Sequence, residues 1–126
     1  MKKFLIASCV AMALPTAAFA DVAAQLSTGS THAGLAAKAA DVNMVHMHLH
    51  HALNCLVGPS GAGFDATVAN PCAKAGNGAI ADSTDAAQKV KLQAAVAKAQ
   101  AGIAASDLAA AQKDATDTAA AIDAAK

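Results

Sequence analysis

The 126-residue sequence has no tryptophan, tyrosine, arginine or glutamate; its nine basic side chains are all lysines and its nine acidic ones all aspartates. Each absence excludes something. Nucleic-acid interfaces need a basic face and rings on which bases stack, and past residue 20 the chain holds one aromatic, Phe64. The missing guanidinium removes the planar, bidentate fork that carboxylate and phosphate sites usually employ. Long apolar runs are absent too. The one from Phe4 to Leu14 covers eleven residues, well short of the roughly 20 that a helix needs to cross a bilayer.

That run fits a shorter-lived purpose. It follows Lys2 and Lys3, breaks at Pro15 and leads into Ala18-Phe19-Ala20, with small residues where a signal peptidase requires them. Residues 1–20 therefore read as a secretory signal peptide, and residues 21–126 as one Ala-rich helical domain, periplasmic or secreted. Seven lysines against nine aspartates leave that domain a formal charge of −2. Neither nucleic acid nor, once the signal is cleaved, a membrane is expected as a partner.

Two cysteines remain after residue 20, Cys55 and Cys72. In an exported chain the expectation is a disulfide. It would close the segment LVGPSGAGFDATVANP and contribute roughly 3 kcal/mol on the loop-entropy model. Reduced cysteines serving as soft metal ligands are the lesser reading, since no Cys-x-x-Cys spacing accompanies them.

Periodicity predicts an all-α fold. Over residues 31–57, Leu35, Val42, Val45, Leu49, Ala52, Leu53 and Leu56 recur at spacings of three and four, which is one helix face. Gly58-Pro59 ends the run. The stretch to about residue 81 holds Gly61, Gly63, Gly76, Gly78 and Asn70-Pro71, the marks of a long loop. A loop of that length is uncommon in a small domain unless something pins it, as the disulfide would. A second helix is predicted after the capping stretch Asp82-Ser83-Thr84-Asp85, with Val90, Ala94, Ala97, Ala101 and Ala104 at heptad spacing. A third starts at Ser106-Asp107 and turns Leu108, Ala111, Ala115, Ala119 and Ile122 inward. The expected architecture is a small up-down bundle of three helices, with the long disulfide-pinned, Gly-rich loop between helices one and two.

The chemistry is concentrated in NMVHMHLHHALNC, residues 43–55, which carries four of the five histidines and two of the four methionines. On a helix His46 and His50 fall one turn apart, the spacing with which two imidazoles grip one ion. Met44, His48, His51 and Cys55 form a second row, and Met47 lies between the two. Both rows flank the apolar face. Imidazole suits Cu(II), Ni(II), Zn(II) and Co(II), while thioether sulfur adds affinity for Cu(I), so copper is the expected ion. It would sit first on His46 and His50, with a further ligand from Met47, His51, water or another molecule. His32 stands apart and is expected at the surface. A blander reading has these histidines merely filling polar helix positions, or meeting Asp65 or Asp82 from the loop. The methionines on the same turns favour ligation, although Met alone means core packing more often than coordination.

With its signal peptide, Ala-rich helices and histidines on a helix face, the chain resembles the small His-rich periplasmic metal-binding proteins of Gram-negative bacteria. The resemblance implies a helical protein that buffers or delivers a metal ion, with the ion and another periplasmic protein as partners. Those proteins repeat histidines through every helix, whereas the last two helices predicted here contain none, so a single site is expected. The competing class is a non-enzymatic structural or partner-binding helical module that presents the 58–81 loop as its recognition surface. An enzyme is not expected: no Ser, Cys or carboxylate is paired with a His as nucleophile and base, and the Gly-rich loop lacks a following Lys-Ser or Lys-Thr. Haem is not expected either, for want of Cys-x-x-Cys-His and of bulky residues to wall a porphyrin.

Overall fold

The computed structural model describes residues 20–126, so the expected signal peptide lies outside the described residues but for Ala20. Among the described residues there are five helices and no strand: α1 (Val22–Ala37), α2 (Val42–Val57), α3 (Ala79–Asp82), α4 (Ala86–Ala104) and α5 (Leu108–Asp123). The all-helical expectation holds, and the three-helix count is corrected. What reads as one helix over residues 31–57 is two helices, the first of them starting nine residues earlier, at Val22.

The reason is a turn that composition conceals. Ala39 and Ala40 carry the highest helix propensity of any residue, so nothing there marks a break. Asp41 makes it: its carboxylate accepts from the Met44 amide at 2.9 Å and caps α2, a contact worth roughly 1 kcal/mol. Asp21, Asp85 and Asp107 cap α1, α4 and α5 in the same way. In a chain without glutamate, aspartate does the capping, placing negative charge at the positive end of each long helix.

The four long helices alternate in direction. Each packs on two neighbours in the cyclic order α1, α2, α4, α5, with α3 bridging α2 and α4. Cross-links mark the antiparallel pairs: Gln112 Nε2 near the start of α5 donates to Ala39 O past the end of α1, and Gln88 Nε2 near the start of α4 donates to Ala125 O past the end of α5. Few large side chains fill the centre, chiefly Leu26, Val45, Leu49, Leu56, Leu92 and Ile122, and alanines complete it. On α4 the predicted seam is on the wrong side: Val90 is 65% exposed, while Leu92, Ala95, Ala99 and Gly102 face inward. An alanine helix gives the period almost nothing to grip, and the frame set by Val90 is overruled by the larger gain from burying Leu92. Leu35, expected in the core, is likewise exposed.

The long loop exists and is pinned. Cys55 and Cys72 form the expected disulfide, with their Cα atoms 5.1 Å apart. Asn54, fully buried, adds three hydrogen bonds: its Nδ2 donates to Asp65 O and Ala69 O, and its Oδ1 accepts from the Asp65 amide. Where the loop closes, Gly58 adopts φ 67°, and a Cβ there would overlap the Asn77 carbonyl, so this crossing requires glycine. The far side is tied to α1, because Gln25 Nε2 donates to Ala75 O at 2.9 Å and to Asp82 Oδ2 at 2.7 Å. Burial alone would raise the Asp82 pKa, but the hydrogen bonds from Gln25 and Asn77 outweigh it and hold the carboxyl below its usual range.

Candidate metal centre

Residues three apart on a helix share a face, and His48 and His51 both turn toward α1. That neighbour packs here through Gly29, where an added Cβ would stand at ordinary packing distance, 3.5 Å from Cys55 Cβ and 3.7 Å from Ala52 O. One turn along α1 from Gly29, His32 meets the pair. Its Nδ1 lies 3.3 Å from His48 Nδ1, and its ring stands edge-on to that of His51 with centroids 4.9 Å apart. One nitrogen from each of His32, His48 and His51 lies within 4.8 Å of the other two.

That spacing fits a metal ion. Two nitrogens bound at about 2.0–2.1 Å around a tetrahedral centre stand roughly 3.3 Å apart, which is the His32–His48 separation. A shared proton would give the same contact between two rings; it would leave the third without a role. His51 Nδ1 is buried and has no hydrogen-bond partner, an arrangement that costs stability unless something binds there. Chemically the set is three imidazoles with no carboxylate. Burial, followed by the nearby His51 and His48, holds the His32 pKa below the usual imidazole value. Burial, then His48 and His50, does the same to His51. Both lone pairs are therefore free at neutral pH, as ligation requires.

The structure gives the other predicted ligands different surroundings. His46 Nε2 donates to Ala105 O in the α4–α5 turn at 2.8 Å; that nitrogen carries the proton and is not a free donor. His50 Nδ1 lies 3.4 Å from Asp65 Oδ2, a charge contact without hydrogen-bond geometry. Thus His46 and His50, the pair preferred on spacing, are each drawn to a different neighbour, and His48 and His51 of the second row meet His32 of α1. The bland alternative is realised for His50, on Asp65; hydrogen bonds from the Thr67 hydroxyl and amide, with His50 adding to them, hold that carboxyl below its usual range. Met44 is 41% exposed and Met47 half-buried.

His32 is the residue that sequence reasoning misplaced: it is half-buried in the centre, not alone on the surface. The signal for it was the turn. His32 and His48 each stand eight residues from Ala40, so an antiparallel hairpin folded there sets them opposite each other. Reading one unbroken helix removed that relationship.

No family model matches this chain, and neither the curated proteins nor the solved structures give a match.

Proposed function

We propose that this chain is an exported protein that binds a transition metal, copper in preference, through His32, His48 and His51, and that it buffers or delivers the ion without acting on a substrate. The observation that carries the reading is the convergence of three imidazoles from two helices within 4.8 Å. Three protein ligands leave part of a coordination sphere open. An open position favours exchange with a second protein over a permanent structural role. Copper stands first because imidazole nitrogen binds it most strongly among the divalent first-row ions. The signal-like first twenty residues support a periplasmic location.

Calorimetric titration against a competing chelator tests this. Wild-type protein takes up one equivalent, and His32→Ala, which leaves α2 untouched, loses it. Undiminished binding by that variant would defeat the site.

A second reading has an observation of its own. Beside the loop lies a cleft of about 570 Å³ lined by Val57, Ala62, Ile80 and Val96 among others, well suited to a partner's apolar side chain and consistent with a recognition module. Metal analysis of protein taken from its native compartment separates the two, since a pure module would carry no stoichiometric ion.

A further inference from the structure

Of the large apolar side chains exposed among the described residues, Leu35, Met44 and Val90, two stand on the helices that carry the histidine centre. Met44 is one turn before His48 on α2, and Leu35 is three residues after His32 on α1, both on the side of the hairpin turn. A methionine is usually retained for packing in a core. Met44 is 41% exposed and packs in none, so its place on the helix asks for another account.

The helix geometry supplies one. At 100° per residue, His48 is turned about 40° to one side of Met44 and His51 about 20° to the other. Met44 therefore stands in line with the two ligands, about 6 Å along the axis from His48. Residues at i and i+4 are neighbours on a helix surface, which puts Met44 within side-chain reach of His48. Three rotatable bonds let its thioether swing without disturbing the core. Met47 is turned about 60° from Met44, past His51 and away from His48.

We infer that Met44 supplies a weak, displaceable thioether ligand to the His32, His48 and His51 centre, one that an incoming donor of a second protein can replace, and makes it selective for monovalent copper over divalent ions. The inference rests on the proposed metal-binding reading. Thioether sulfur is a soft donor that favours Cu(I), and zinc or cobalt gains little from it. The three imidazoles bring no negative charge, so a singly charged ion leaves less uncompensated charge in the site than a doubly charged one.

The test is an anaerobic titration of the whole protein, disulfide intact, with Cu(I) against a chromophoric Cu(I) chelator, and in parallel with Zn(II) against a divalent chelator. Met44→Leu keeps size, apolarity and helix propensity. It should weaken Cu(I) binding by roughly tenfold or more and leave Zn(II) affinity unchanged, and X-ray absorption should show a sulfur neighbour of the copper in wild type that the variant lacks. Met47→Leu should change neither ion. Equal Cu(I) affinity in wild type and Met44→Leu, or a loss that follows Met47 instead, overturns the inference while leaving the histidine site standing. If the wild type binds neither ion, the inference and the proposed function fail together.

Discussion

His32 Nδ1 and His48 Nδ1 lie 3.3 Å apart across two helices, sixteen residues apart in the chain. The contact depends on the fold at every level: Asp41 caps α2 and ends the turn, the turn makes α1 and α2 antiparallel, and Gly29 of α1 packs against Ala52 and Cys55 of α2. The centre is therefore a property of the hairpin. A helix carrying residues 43–55 alone lacks His32, and a chelate from α2 alone is a weaker site.

The histidines should fall into two groups when replaced singly. His32→Ala, His48→Ala and His51→Ala each weaken metal binding by tenfold or more. His46→Ala leaves affinity within about twofold but removes the bond to Ala105 O, lowering stability by roughly 1 kcal/mol. Chelator-competed titration and thermal melts of the metal-free proteins give both numbers. Loss of affinity in His46→Ala and His50→Ala with none in His32→Ala would return the site to one face of α2.

How much of this was legible follows from which residues speak clearly. The Gly58-Pro59 stop and the Asp85 and Asp107 caps are strong local signals, and α4 and α5 begin where they indicate. The Cys55–Cys72 pair follows from simple counting. Alanine is where reading failed: it favours helix everywhere and marks no face, so the turn at Ala39-Ala40 and the inward side of α4 were both misread. The metal cluster was visible as composition, and its choice of row was not, because spacing along α2 cannot tell which flank meets α1. Asn54, one turn past His50 on α2, is the buried anchor of the loop, a role that its place in the sequence does not announce.

Acid should weaken both the centre and the fold. His32 and His51 have pKa values lowered in the folded chain, first by burial and then by neighbouring imidazoles. A group whose folded pKa is depressed binds fewer protons folded than unfolded, so its contribution to stability is complete above the unfolded value and is lost as pH falls beneath it. For imidazole that loss begins below about 6.5. Melting of the metal-free protein should accordingly drop between pH 7.5 and pH 5.5, with a shallower slope in His32→Gln. Metal affinity should fall in the same direction, since protons and ion compete for the same lone pairs. A flat melting profile over that interval would mean the imidazoles are not packed as described.

Replacing Asn54 should loosen the loop ahead of the bundle. Its three hydrogen bonds are buried and run to Asp65 and Ala69, and alanine would strand those backbone groups, at a cost of roughly 2–4 kcal/mol. Hydrogen exchange of Asn54→Ala should show faster amide exchange over residues 58–78 than in α4 and α5. Uniform acceleration throughout the chain would show that loop and bundle unfold as one unit.

The disulfide should matter to the metal as well as to the fold. Cys55 is one turn beyond His51 on the same row of α2, its Cβ faces Gly29, and Cys72 Sγ lies 3.8 Å from the Gln25 carbonyl of α1. The bridge thus fills the space between the two helices that carry the three imidazoles. Closing a loop of this length contributes roughly 3 kcal/mol, so the Cys55→Ala, Cys72→Ala protein should melt lower by on the order of 10 °C. Both thiols should resist alkylation until a reductant is added. In the double variant α1 and α2 are less firmly held, and an ion would have to order them on binding, so affinity should fall by a few fold while stoichiometry stays at one. Alanine removes the free thiols that simple reduction would expose as new ligands, which keeps the comparison to geometry alone. Unchanged affinity in a protein that melts so much lower would show that the hairpin holds His32 against His48 without help from the bridge.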